Sequence, residues 1–175
     1  MTTGAIPCGI AVGLAAAAAI TDWRDGTIPN WLTIPPLVAA PVAYLAFFGL
    51  HVALASLIGA LVCGAGPYIL FRRDAIGGGD VKLLSAVGAV AGVAVGLEGQ
   101  LLGFVMAALW ALFITAWRGG LFTMLANAVF LAINPILPAR WRREIVPQEM
   151  TTLRLGGFIL AGLCLSITLR FAIVA

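Results

Sequence analysis

A polar, glycine-dense stretch, Ala75-Ile76-Gly77-Gly78-Gly79-Asp80-Val81-Lys82, separates two long apolar runs of this 175-residue chain. Each glycine costs about 1 kcal/mol relative to alanine inside a helix, so three in a row predict a tight loop. Glycine also tolerates positive φ and allows another chain to approach closely. We therefore expect a loop that presents Asp80 at the start of a new helix, where its carboxylate is either a helix cap or a reagent.

The composition of the chain is that of an integral membrane protein. Hydrophobic residues make up 62% and charged residues 10%, with a mean hydropathy of +1.10, whereas roughly 25% of a soluble globular protein is charged. The apolar runs approach the roughly 20 residues that a membrane-spanning helix needs, and they lack the alternating pattern of a β-barrel. The predicted fold class is all-α, a polytopic membrane helical bundle that forms one domain over residues 1–175.

Charge and cysteine usage argue against several kinds of site. The net charge is +3, but the ten basic residues are scattered between apolar runs, so no nucleic-acid partner is predicted. Cys8, Cys63 and Cys164 each stand alone in an apolar run, with no CxxC pair and no histidine cluster. They are interpreted as small core residues, and no metal, cofactor or disulfide framework is predicted.

Six apolar runs predict six membrane spans. The first is interpreted as a span rather than a signal peptide because no positively charged segment precedes it. Asn30 stands in the N-cap position of the second span, and turns are predicted at His51 and at Glu98-Gly99-Gln100. The predicted spans cover residues 4–21, 31–50, 52–71, 81–97, 101–117 and 151–174.

The distribution of basic residues predicts the orientation of these spans. If the N-terminus lies outside, the loops around His51 and Glu98 also lie outside and contain no lysine or arginine. Both termini are then outside, and Arg170 is the only basic residue on that side. The loops predicted to be cytoplasmic contain Arg24, Arg72, Arg73, Lys82 and Arg118.

The run from Leu121 to Leu137 is apolar but short, and it is interrupted by asparagine and proline. If it crossed the membrane, the basic segment from Arg140 to Arg143 would face outside. We therefore expect an interfacial or re-entrant helix there. The basic segment is interpreted as a patch that contacts membrane lipid, with substrate or partner docking as the alternative.

Four aspartates occur in two of the predicted cytoplasmic loops: Asp22 and Asp25 in one, Asp74 and Asp80 in the other. An acid at the membrane boundary is a candidate functional residue because charge at that depth is costly. Asp22 and Asp80 meet if the first and fourth spans pack together. Two adjacent carboxylates share a proton, so one can act as general base and the other as general acid in peptide hydrolysis. The single histidine, His51, is predicted on the opposite face.

The arrangement of these acids resembles the type IV prepilin peptidases. In that pattern an aspartate ends the first span, five residues and Ile-Pro-Asn follow, and Gly-x-Gly-Asp precedes the fourth span. The matching stretches are Asp22 with Ile28-Pro29-Asn30-Trp31-Leu32-Thr33, and Gly77-Gly78-Gly79-Asp80-Val81-Lys82-Leu83-Leu84. The resemblance extends to about Trp117, and two ordered motifs are more specific than Gly-x-Gly-Asp alone.

This resemblance implies a GxGD-type intramembrane aspartic endopeptidase with Asp22 and Asp80 as the catalytic pair. Such enzymes remove the leader from prepilins at the cytoplasmic face of the inner (plasma) membrane, and the substrate is an apolar helix with a basic leader. The larger members also methylate the new N-terminus through a domain with paired cysteine motifs. This chain lacks those motifs, so methyltransferase activity is not expected. It is more similar to the short peptidases of tight-adherence (Flp) pili and to archaeal preflagellin peptidases.

The flanking residues are expected to shape the site. Gly77, Gly78 and Gly79 would leave room for an extended substrate backbone, while Pro29 and Asn30 would shape the loop before the second helix. Lys82 is interpreted as a topology anchor, and the alternatives are that it steadies the loop, attracts lipid phosphate or contacts the substrate.

Other interpretations of the acids are open. Asp25 is the competitor of Asp22, and Asp74 is expected to be a loop charge paired with Arg72 and Arg73. The chain could also be a small ion or proton transporter, or an inactive component of a pilus assembly. The transporter hypothesis predicts acids in the middle of the spans, whereas these acids stand at the span ends.

Overall fold

The computed structural model describes residues 4–117 and 154–174, and the regular structure in these ranges is entirely helical. Five of the six helices are long and apolar enough to cross a membrane, which confirms the predicted all-α polytopic class. The fourth has 14 residues and is about 21 Å long, less than the hydrocarbon core of a bilayer. The helices are α1 Ala5–Asp25, α2 Asn30–Phe48, α3 Leu50–Phe71, α4 Gly78–Ala91, α5 Val93–Trp117 and α6 Leu155–Val174.

The described residues fall into two compact units. The first contains residues 4–106 and 154–174, and the second begins at Ala107. Within the second unit, Thr115 Oγ1 donates a hydrogen bond of 2.7 Å to the carbonyl of Ala111. The predicted single domain over the whole chain remains a prediction. The run from Leu121 to Leu137 and the basic segment after it lie outside the described residues.

Glycines with positive φ mark two helix boundaries that were predicted at the wrong place. Gly49 and Gly92 both have φ of +85°, which glycine adopts without strain. The break before α3 is therefore at Gly49, and His51 is already helical. The break between α4 and α5 is at Gly92, so the turn predicted at Glu98-Gly99-Gln100 is wrong. Those three residues lie inside α5.

Close helix packing at small residues sets the position of α4. A Cβ on Gly88 would lie 2.3 Å from the carbonyl oxygen of Gly59 and 2.7 Å from Cys63 Sγ. Ser56 Oγ donates a hydrogen bond of 2.7 Å to the carbonyl of Ala89. Small residues allow membrane helices to approach until their backbones touch, and α3 and α4 use this mode of packing.

The first helix packs against α4 and α6 through a nearly continuous alanine face. Ala11, Ala15 and Ala18 are completely buried, because alanine at helical spacing presents a flat surface that neighbouring helices can cover. Cys8 and Cys63 are buried free thiols, which confirms their interpretation as core residues. The C-terminal turn of α1 is thus fixed beside the N-terminal turns of α4 and α6.

An ion pair joins α5 and α6 far from that end of the bundle. Arg170 Nε donates to Glu98 Oε2 at 2.7 Å, and Ser166 Oγ donates to the same oxygen at 3.0 Å. Arg170, predicted to be a lone basic residue on its side of the membrane, therefore has an acidic partner. Buried or half-buried charges in a membrane helix need such partners.

Candidate active site

Asp22 lies inside a helix rather than after it. The first helix continues to Asp25 and ends at Gly26, whose left-handed backbone, φ +68°, lets its N–H donate to the Asp22 carbonyl at 3.0 Å. A left-handed glycine after the last helical residue is a common helix stop. The Asp22 side chain is 8% exposed, whereas Trp23 is 75% exposed. Asp22 therefore points into the bundle while its neighbour points outwards.

Asp80 lies in the first turn of α4. Gly77 is the N-cap residue in an extended conformation, with φ −75° and ψ 150°, and Gly78 and Gly79 are already helical. The prediction that Asp80 stands at the start of a new helix is confirmed, but the loop ends at Gly77, so Gly78 and Gly79 are not part of it. Asp80 Oδ2 accepts a hydrogen bond of 3.2 Å from the N–H of Gly77, and this capping offsets part of the cost of the glycines. The carboxylate is a cap, but only one of its oxygens is used for that purpose.

The segment between α1 and α2 packs directly on the first turn of α4. A Cβ on Gly79 would lie 2.9 Å from Ile28 Cβ and 3.1 Å from the Ile28 carbonyl oxygen. The space that Gly79 leaves is thus taken by Ile28 of the same chain. Because Gly79 has no side chain, the Ile28-Pro29 segment can pack against α4. The end of α1, which leads into this segment, is held close to α4 in the same way.

A second link between these segments is a hydrogen bond of 2.7 Å from Lys82 Nζ to Asn30 Oδ1. Asn30 was predicted to be the N-cap of α2, but Pro29 occupies that position and Asn30 is the first helical residue. Its amide side chain is therefore free to accept from Lys82. Both residues steady the junction between α2 and α4.

We expect Lys82→Met and Asn30→Ala to destabilise the protein by similar small amounts. The bond is exposed, so each loss should be about 1 kcal/mol in the free energy of unfolding. The double variant should cost no more than either single variant, because both remove the same bond. Thermal unfolding of the wild type, the two single variants and the double variant in one detergent measures this double-mutant cycle. If the two single losses added fully in the double variant, a direct bond would be contradicted.

Asp22 and Asp80 are electrostatically coupled. The pKa of Asp80 is raised to about 6, first by burial of its carboxyl and second by the charge of Asp22. The hydrogen bond from Gly77 opposes this rise, since it favours the charged form. The fold therefore brings together the two acids that the sequence singled out.

A sequence model described as the type IV leader peptidase family matches residues 9–136, which include both acids. The chain belongs to this family. Its members are peptidases, and the helical membrane architecture described above agrees with that assignment. Searches of curated proteins and of solved structures gave no significant match.

The other two aspartates of the loops singled out in the sequence differ from this pair in their exposure to solvent. Asp25 and Asp74 are exposed. Asp74 has φ of +55°, and among the described residues no ion pair joins it to Arg72 or Arg73, so that predicted pairing is wrong. Arg72 instead donates to the hydroxyl of Tyr68 at 3.5 Å.

Two residues of the peptidase that the sequence reasoning missed contact the end of α1. The N–H of Gly156 donates to Asp22 Oδ2 at 3.0 Å. Arg154 donates to the carbonyl of Trp23, and its guanidinium lies 5.8 Å from the centre of the Trp23 ring. The one local signal was the pair Gly156-Gly157 at the start of the last apolar run, where backbone approach is easy.

Proposed function

We propose that this leader peptidase is an aspartic endopeptidase that removes the leader from prepilin-like precursors, with Asp22 and Asp80 as its catalytic pair. The observation that carries the proposal is the coupling of the two acids at one end of α1 and α4, where the charge of Asp22 raises the pKa of Asp80. Pairs of acids whose environments separate their titrations are typical of acid–base catalysis. The family match to a peptidase supports the same conclusion.

In the proposed reaction, Asp22 is ionised and Asp80 carries the shared proton. Asp22 takes a proton from water as the water oxygen adds to the scissile carbonyl carbon, and Asp80 gives its proton to the carbonyl oxygen. The C–N bond then breaks, the leaving amine takes the proton from Asp22, and Asp80 regains a proton from the other hydroxyl of the intermediate. This route regenerates both acids and needs no metal ion or nucleophilic side chain.

The proposed substrate is a precursor with a basic leader and an apolar helix in the membrane. Asp22 stands in the last turn of an apolar helix, so a peptide bond at the end of a substrate helix would lie at the same depth. A helix must unwind there before its carbonyl is accessible to the acids. The distribution of lysine and arginine favours the cytoplasmic face of the inner membrane for this site.

The pH dependence of cleavage follows from the Asp80 carboxyl. Its pKa is raised to about 6, so the proton that the reaction needs is present below that pH and is lost as the pH rises through it. We expect kcat/KM to fall on the alkaline side by about tenfold per pH unit. Cleavage rates of a detergent-solubilised prepilin over a series of buffers would measure this profile. A rate that rises steadily through the same range would contradict Asp80 as the acid.

Coexpression with a candidate prepilin tests the proposed function. The wild-type chain should convert the precursor to a shorter product on a gel, and mass spectrometry should locate the new N-terminus next to the apolar helix. The double variant Asp22→Asn/Asp80→Asn should leave the precursor intact, and a chelator should not inhibit the wild type. Cleavage by the double variant would overturn the aspartic mechanism, and complete inhibition by chelator would indicate metal chemistry.

A further inference from the structure

The first turn of α6 contacts the side chain of Asp22. Gly156 is the second residue of α6, and the N–H groups of a first helical turn have no acceptor within their own helix. Its N–H donates to Asp22 Oδ2 at 3.0 Å in a buried setting. A hydrogen bond to one carboxylate oxygen holds the group in one orientation and leaves the other oxygen available.

The contact leaves no space for a side chain at this position. A Cβ on Gly156 would lie 3.0 Å from Asp22 Oδ2 and 3.1 Å from both Asp22 Cβ and Ala19 Cα. A Cβ on the next residue, Gly157, would meet nothing within 4 Å. The two adjacent glycines therefore differ in function, and only Gly156 allows α6 to approach the acid.

Other contacts hold α6 in this position. Arg154 donates to the carbonyl of Trp23 and lies over its ring. Farther along the helix, a Cβ on Gly162 would lie 2.3 Å from the carbonyl oxygen of Gly99, and Arg170 pairs with Glu98. The N–H of Gly156 is thus fixed before substrate binds.

We propose that α6 completes the catalytic centre, with the Gly156 N–H as a positioning group that holds one oxygen of Asp22 and directs its second oxygen towards the attacking water. The proposal rests on the proposed function, in which Asp22 is the general base. It assigns a role to a helix outside residues 9–136, the part of the chain that the family model matches.

Three variants separate the hydrogen bond from the packing. Gly156→Ala adds a Cβ and keeps the N–H, whereas Gly156→Pro adds a ring and removes the N–H, and a first helical turn tolerates proline. Gly157→Ala is the matched control. We expect Gly157→Ala to cleave prepilin as the wild type does, Gly156→Ala to lose about tenfold in kcat/KM, and Gly156→Pro to lose about 100-fold.

Comparison of Gly156→Ala with Gly156→Pro distinguishes positioning from a structural role, because only the proline variant lacks the donor. When thermal unfolding shows that both variants are folded at the assay temperature, we expect kcat of Gly156→Pro to be about tenfold below that of Gly156→Ala, with KM unchanged. A structural defect would instead lower the thermal midpoint together with the rate. Equal kcat values for the two folded variants would overturn the proposal. Cleavage by Asp22→Asn would instead overturn the proposed function itself.

Discussion

We expect Asp22→Asn and Asp80→Asn each to lower the rate of prepilin cleavage by about 10³-fold or more. Asparagine has nearly the same shape as aspartate and can keep a hydrogen bond, but it neither takes a proton from water nor gives one to a carbonyl. If the two acids act as a unit, as proposed, the double variant should be no slower than the slower single variant. Initial cleavage rates of the purified single and double variants in one detergent would test both expectations.

Asp25→Asn and Asp74→Asn are the controls for that experiment. Both side chains are exposed, so their removal should change the rate by less than about twofold. If Asp25→Asn were inactive and Asp22→Asn active, the pair would be wrongly assigned, although the chain would remain a peptidase. If all four variants cleaved, the acids would have no part in the chemistry.

Gly88→Ala should be among the most destabilising of the conservative substitutions. The new Cβ would lie 2.3 Å from the Gly59 carbonyl oxygen, and neither backbone can move away while α3 and α4 stay packed. Overpacking of this kind costs about 3 kcal/mol, and the better helix propensity of alanine recovers about 1 kcal/mol. The net loss of about 2 kcal/mol should lower the thermal midpoint by about 5 °C.

Gly13→Ala provides the matched control for Gly88→Ala. A Cβ on Gly13 meets nothing within 4 Å, so only the helix propensity changes and the midpoint should stay the same or rise slightly. Thermal unfolding of both variants in the same detergent compares them directly. Equal midpoints for Gly88→Ala and the wild type would show that α3 and α4 are not packed as closely as described. Since α4 carries Asp80, cleavage should fall together with stability in Gly88→Ala.

Local features of the sequence predicted much of the architecture. Apolar runs identified the membrane helices. The backbone N–H and C=O groups of a run that lies in the bilayer have no water to bind, so they must hydrogen-bond within a helix. The apolar runs did not locate the helix ends, because the backbone conformation of a single residue decides where a helix stops. The turn expected at Glu98-Gly99-Gln100 lies instead at Gly92, since Gly99 serves close packing against Leu163 and stays helical.

Of the residues in the candidate site, only the two central acids could be predicted from the sequence. Motif order selected Asp22 and Asp80, but their surroundings depend on contacts between distant parts of the chain. The Gly77 to Gly79 stretch was expected to make room for substrate, and at Gly79 the structure fills that room with Ile28. Asn30 was expected to cap a helix and instead accepts a hydrogen bond from Lys82.

The amino-acid sequence by itself determined that this is a helical membrane protein with two acids at span ends, because hydropathy and charge act locally along the chain. The tertiary structure decided which groups surround those acids. Gly156 is 134 residues from Asp22 in sequence, and no local pattern connects them. Their hydrogen bond exists because glycine leaves α6 free to reach α1, and such backbone contact depends on the packing of the whole bundle.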